Sequence, residues 1–195
     1  MADKLHLASH SPRRRELIAL LGVPFESIEP PDIDEDRFLK DFKGQLVELP
    51  AALAEAKAKL VFPQVNDGYL VCADTVVVLD NSGLGKPVDS QDAERMLRLL
   101  SGVWHEVITG ISICHSPSNN ILTGAERTSV KFATLTDDEI RRYVATGEPY
   151  DKAGAYGIQG MAAPFIERIE GCYHNVVGLP LNLLYRMLRD MGFRF

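Results

Sequence analysis

The run Tyr69-Leu-Val-Cys-Ala-Asp-Thr-Val-Val-Val-Leu79 constrains this chain more than any other segment. Aliphatic and β-branched residues follow one another with almost no polar alternation, the pattern of a central strand covered on both faces. One residue breaks the pattern. Asp74 places a carboxylate inside the run, and desolvating it is expensive unless it meets a cation, a metal or several donors. Read as structure alone, Ala73-Asp74-Thr75 marks a bulge or a strand end, where an acid caps nearby backbone. Read as function, it is a base or metal ligand at the mouth of a sheet, where α/β ligand sites tend to lie.

The flanking sequence supplies helices and further strands. Leu5, Leu7 and Ala8 suggest a short strand, and Ser11 as N-cap with Pro12 in the first turn opens a helix. Its apolar face would be Leu17, Ile18, Leu20 and Leu21, with Gly22 as the stop. Residues 26–46 are polar and acidic and read as a loop or lid. Ala51 to Lys59 and Ser90 to Leu100 read as helices. Val107 to Cys114 and Thr128 to Phe132 read as strands joined by the turn Ser116-Pro-Ser-Asn-Asn120. Thr136 with Glu139 forms a capping-box pattern for a helix closing near Gly147. Phe165 to Ile169 and Tyr173 to Val177 look like paired strands, and Pro180 starts a last helix with Leu184, Leu188 and Met191 at core spacing. Interleaved strands and helices give an α/β class with a mixed sheet. No repeat or linker divides residues 1–195, which read as a single domain.

Composition narrows the partners. With 195 residues, 46% apolar and 25% charged, the chain is long enough for one large domain or two lobes around a cleft. A net charge of −6 argues against a nucleic-acid polymer, since phosphate backbones select basic surfaces. No apolar run reaches the length of a membrane helix. Cys72, Cys114 and Cys172 are scattered without a CxxC pair, which suggests reduced thiols in a cytoplasm and gives no zinc signature.

Two further segments bear on chemistry. Asp151-Lys-Ala-Gly-Ala-Tyr-Gly-Ile-Gln-Gly160 holds three glycines, implying tight turns or backbone pressed against a ligand. Lys152 and Gln159 add donors suited to phosphate oxygens and to the polar edge of a base. Ser9-His-Ser-Pro-Arg-Arg-Arg15 puts Arg13, Arg14 and Arg15 at a helix N-terminus, where the dipole disfavours cations and favours an anion such as phosphate. Ser9 and Ser11 hydroxyls could join such an anion; the plain alternative is a solvated cationic turn. One carboxylate of Asp32-Ile-Asp-Glu-Asp36 could join Asp74 around Mg²⁺, which one or two carboxylates plus substrate phosphates serve well. Lys57 and Lys86 are further candidate phosphate cations. The chain has no G-x-x-x-x-G-K-[ST] loop, and no G-x-G-x-x-G follows the first strand.

Taken in order, Leu7-Ala-Ser-His-Ser-Pro-Arg-Arg14, Asp32-Ile-Asp-Glu35, Ala56-Lys-Ala58, Ala73-Asp-Thr75, Gly85-Lys-Pro87 and the glycine-rich block resemble the Maf family of nucleotide pyrophosphatases over nearly the whole chain. The Tyr156-Gly-Ile-Gln-Gly160 pattern is similar to the subgroup acting on dTTP and UTP, and differs from relatives acting on 7-methylguanosine triphosphate. The resemblance implies a twisted mixed sheet in two lobes around a cleft, similar to inosine triphosphatase-like folds, and a homodimer. It implies hydrolysis of dTTP and UTP, or of modified pyrimidine nucleotides, at the α-phosphorus with Mg²⁺ or Mn²⁺. Asp74 would be the proton acceptor; Arg13, Thr75 and Gln159 would set base specificity. Ser9, Arg13, Arg14, Lys57, Lys86 and Lys152 would hold phosphates, and Glu35 with Asp74 the metal, Asp34 competing with Glu35. The rival class is a non-catalytic nucleotide-binding regulator of division and septum formation, which the same cations would serve and turnover would exclude.

Overall fold

A computed structural model describes residues 3–195, the Asp36 side chain excepted. The aliphatic run forms strand β3, Gly68–Leu79, preceded by β1 (Leu5–Ala8) and β2 (Phe25–Ile28) and followed by β4 (Ser82–Leu84), β5 (Trp104–Ser116), β6 (Asn120–Phe132) and β7 (Ile166–Glu170). They make one seven-stranded sheet in the order β2-β1-β3-β5-β6-β7, with β4 added to β3. β1 pairs in parallel with β2 and with β3, whereas β4 on β3 and β7 on β6 are antiparallel, so the sheet is mixed. Among the described residues there are seven α-helices: α1 (Pro12–Ala19), α2 (Glu35–Asp41), α3 (Leu49–Val61), α4 (Ser90–Leu100), α5 (Asp137–Val144), α6 (Tyr173–Val177) and α7 (Leu181–Asp190). No helix among the described residues is long and apolar enough to cross a membrane.

The chain divides into two compact units. The first comprises residues up to Asp74 with Thr109–Glu126 and Gly178–Phe195, and the second Thr75–Ile108 with Arg127–Val177. In the first, Ala58 and Val61 of α3 pack with Ala8, Leu70, Cys72 and Cys114 of the strands. Helix α3 lies directly on the backbone of β5. A Cβ at Gly110 would sit 2.2 Å from the Ala51 nitrogen, so only glycine admits the helix this closely. In the second unit, Leu97 and Leu100 of α4 and Ile140 and Tyr143 of α5 pack with Val77, Phe132 and Tyr156. Burial of each such side chain stabilises by about 1.5–3 kcal/mol.

Local signals account for many boundaries. Ser11 caps α1 and accepts from the Arg14 N–H, with Pro12 in the first turn as expected. Thr136 and Glu139 form the reciprocal capping box of α5, and Gly147 follows at φ 79°. Three expectations fail. Residues 26–46 are not an unbroken loop: most of strand β2 and all of helix α2 lie there, the strand paired to β1 from Leu5↔Phe25 to Ala8↔Ile28. Leu20 is 67% exposed: it caps α1 in helical conformation but lies off the face of the buried Leu17 and Ile18. Tyr173–Val177 is helix α6 and not a strand paired with β7. The Asn175 N–H bonds the Cys172 carbonyl, and its buried side-chain amide donates to Val107 O and Thr128 Oγ1 at 2.8 and 2.9 Å. Those tertiary bonds override the β propensity of the two valines.

Candidate active site

Asp74 lies within β3 and not at its end, which removes the strand-end reading. Its Oδ1 accepts from Lys57 Nζ at 2.7 Å, and the same ammonium donates to Glu35 Oε1 at 2.7 Å. Lys57 comes from α3, Glu35 from the first position of α2, and Asp74 from the middle of the sheet. The Lys57 and Asp74 side chains are 16% and 14% exposed, against 56% for Glu35, so the inner pair is shielded and the outer acid faces water. Burial pushes the Asp74 carboxyl above its ordinary value, with Lys57 and Arg14 acting the other way. Burial also works against the Lys57 ammonium, but Asp74 and Glu35 outweigh it and hold its value above the ordinary one. The arrangement keeps a carboxylate poorly hydrated beside a firmly charged cation.

Asp34 and Glu35 are separated by position. Asp34 Oδ1 accepts the Arg37 N–H at 2.9 Å as the N-cap of α2, whereas Glu35 reaches the Lys57 ammonium. Two carboxylates thus converge on one cationic point, and both are hard oxygen donors, the chemistry that Mg²⁺ and Mn²⁺ accept. The residues present fit a divalent ion that Glu35 and Asp74 would hold together with substrate phosphates.

The basic start of α1 divides its labour. Arg14 is half-buried and turns inward; its Nε donates to Gly178 O and its Nη1 to Ala73 O, both at 2.8 Å. Its charge therefore meets backbone carbonyls, one of them on the residue before Asp74. Burial lowers the guanidinium value, and Asp74 opposes that shift. Arg13 is half-buried, while Arg15 is exposed and donates to His10 O at 3.4 Å. Ser9 is buried at 7% exposure and accepts the Ser11 N–H at 3.2 Å. Arg14, an expected phosphate ligand, holds the strand beside Asp74 through residues 59 and 164 positions away, which no local pattern reveals.

In the second unit, Thr75 follows Asp74 on β3 and is half-buried. Lys86 is exposed, and its neighbour Gly85 accepts the Gly154 N–H at 3.0 Å, which joins that loop to the glycine-rich block. Gly154 takes φ 69° and a Cβ there would come within 3.0 Å of Val77, so this glycine answers both a backbone and a packing demand. Lys152 Nζ donates to Glu148 O at 2.7 Å and to Asp151 Oδ1 at 2.6 Å. An ammonium has three donors, so these two bonds do not exhaust it. Gln159 is exposed. Glu148, which sequence reasoning passed over, accepts from Tyr143 Oη at 3.0 Å and from the Met161 N–H at 2.9 Å. Its only signal in the sequence is its place just ahead of the glycines.

Comparisons with known proteins converge. The family model for Maf-like protein matches residues 4–191. The dTTP/UTP pyrophosphatase of Carboxydothermus hydrogenoformans is 45% identical over 190 residues, covering 97% of this chain and 100% of that protein. Proteins of the same name from Geotalea uraniireducens and Clostridium botulinum are each 47% identical, the first over 95% of this chain and 94% of its own length, the second over 95% and 96%. A family match spanning residues 4–191 and relatives 45–47% identical over almost the whole chain lead to one conclusion: the chain belongs to the Maf-like protein family.

Proposed function

We propose that this chain hydrolyses dTTP and UTP to the nucleoside monophosphate and pyrophosphate. The observation that carries the reading is the Asp74–Lys57–Glu35 cluster in a chain 45% identical, over 97% of its length, to a protein named dTTP/UTP pyrophosphatase. Asp74 takes the proton of a water whose oxygen attacks the α-phosphorus, and the bond from that phosphorus to the bridging oxygen of pyrophosphate breaks. Its poor hydration raises its basicity, which suits a base working near neutral pH. Lys57 keeps Asp74 and Glu35 oriented and offsets their charge as the anionic substrate approaches. Arg14 fixes the strand at Ala73, and with it the position of Asp74. Glu35 and Asp74 would hold Mg²⁺ or Mn²⁺, which would supply charge stabilisation at the phosphoryl oxygens.

Arg13 and Ser9 at the start of α1, with Lys86 and Lys152, bind the phosphates. Thr75, Arg13 and Gln159 select the base, the Gln159 amide pairing with one carbonyl and the imide N–H of uracil or thymine. The two bases differ by one methyl, worth about 1–3 kcal/mol in a pocket, so action on both is reasonable. Residues 1–195 act as one catalytic domain, in the cytoplasm and as a homodimer. The free thiols Cys72 and Cys114, both buried, agree with a reducing compartment.

The test is pyrophosphate release from dTTP, UTP, CTP, GTP and 7-methylguanosine triphosphate, with Mg²⁺, with Mn²⁺ and with chelator. Metal-dependent release confined largely to dTTP and UTP supports the reading. Release centred on a purine nucleotide overturns the base assignment. Binding without release from any nucleotide favours the regulatory alternative.

A further inference from the structure

The two glycines that bracket Gln159 are explained by the Glu148 carboxylate and the Lys152 stem. A Cβ on Gly160 would lie 2.1 Å from Glu148 Oε1, and one on Gly157 would lie 2.5 Å from Lys152 Cε. The loop is therefore wrapped closely around the Glu148 side chain and the Lys152 stem. Glu148 Oε1 accepts from Tyr143 Oη at 3.0 Å, and Tyr143 Oη in turn accepts the Gly157 N–H at 3.2 Å. Glu148 Oε2 accepts the Met161 N–H at 2.9 Å. The Gly160 N–H closes the turn on Gly157 O at 3.1 Å. Gln159 thus sits on a short segment pinned two residues before and two residues after itself, and both pins run to the same carboxylate.

The chemistry of those pins suits an acid. A carboxylate accepts at both oxygens, from the phenol O–H and from the backbone N–H; an amide would have to reverse the Tyr143 bond, its NH₂ donating to an Oη that already accepts the Gly157 N–H, and the phenol proton would lose this acceptor. The carboxylate is not consumed by an ion pair with Lys152, whose ammonium bonds the Glu148 main-chain oxygen instead. We propose that Glu148, through Tyr143 and the Met161 amide, is the positioning residue that sets the conformation of the Gln159 loop and so the pyrimidine selectivity of the enzyme. The selectivity half rests on the hydrolysis proposed above; the loop-setting half does not.

Two readouts keep those halves apart. Hydrogen exchange at the Gly157 and Met161 amides is compared in the wild-type chain, Glu148→Gln and Tyr143→Phe, and the UTP-to-CTP ratio of kcat/KM is measured in the same three proteins. Glu148→Gln is expected to speed exchange at one or both amides by about 10-fold and to lower the selectivity ratio by about 10-fold, the effect of losing one hydrogen bond to a charged group. Tyr143→Phe, which leaves the Met161 pin in place, is expected to speed exchange at Gly157 alone; it serves if Glu148→Gln does not fold. Combining Glu148→Gln with Gln159→Ala should lower selectivity no further than Gln159→Ala does, a non-additivity that a merely structural role would not produce. Unchanged exchange in both single variants overturns the loop-setting role. Faster exchange with an unchanged ratio overturns the selectivity role. A wild-type protein that releases no pyrophosphate from UTP overturns the hydrolysis and the selectivity built on it, and the exchange data then decide the loop-setting role alone.

Discussion

The two units partner their shielded cations differently. In the first, Lys57, 16% exposed, lies between the shielded Asp74 and the outer Glu35, with Arg14 donating to the carbonyls of Ala73 and Gly178. In the second, Lys152, 12% exposed, meets a main-chain oxygen and the exposed Asp151 carboxylate, and the polar side chains buried most deeply are neutral. His105, 2% exposed, bonds Tyr156 Oη through Nε2 at 2.8 Å, and the Asn175 amide bonds Val107 O and Thr128 Oγ1. Aromatic edges complete that core, with Phe132 against both His105 and Tyr156. The difference teaches what each region is built to do. A cluster of shielded charges is poor value for stability, since desolvation offsets the attraction, but it presents a basic carboxylate and cations to an anionic substrate. The neutral groups tie together the scaffold that carries the glycine-rich loop, His105 to Tyr156 and Asn175 to Val107 and Thr128.

Removing one charge from each unit should expose that contrast most strongly. Lys57→Met strands two carboxylates, one of them shielded, and should cost about 3 kcal/mol of unfolding free energy in urea. Lys152→Met removes a cation whose carboxylate partner, Asp151, is 60% exposed, and should cost about 1 kcal/mol or less. Equal losses would break the comparison.

Acid should strike the second unit through its buried histidine. Burial depresses His105 from the ordinary 6.5 to about 4. Between those values the unfolded chain binds a proton that the folded chain does not, so stability is present at neutral pH and lost as pH falls. The loss from pH 7 to pH 4 should approach about 3 kcal/mol from this group, read as the pH dependence of urea midpoints. A His105→Asn variant should lack that portion of the slope, and an unaltered slope would show that the histidine is not buried neutral.

The capping box gives a further small effect. Thr136→Ala removes the acceptor for the Glu139 N–H and should destabilise by about 1 kcal/mol. Since α5 ends three residues before Gly147, the same variant checks whether loosening that helix leaves turnover intact.

What the sequence disclosed, and what it hid, follows from the range of the forces involved. β3, the Ser11 cap and the Thr136 box rest on neighbouring residues, and all three are where the pattern puts them. The dissonance of Asp74 within an aliphatic strand was likewise visible, because a carboxylate there demands a partner. The partner's identity was not: Lys57 lies 17 positions away, and the packing of α3 onto Gly110 and onto Ala8, Leu70 and Cys72 brings its helix to the sheet. Helix α6 was misread because the bonds that decide it run from Asn175 to residues 47 and 68 positions distant. Glu148 went unseen for a different reason. A glycine advertises missing volume without naming what fills it.

The most direct test of the central claim is pyrophosphate release from dTTP and UTP by Asp74→Asn beside the wild-type chain, with the urea unfolding of both recorded. Loss of the positioned base should lower kcat by about 10²–10⁴ while the unfolding transition stays cooperative. Near-normal turnover from a folded Asp74→Asn protein would contradict the account, and would move the base to another group.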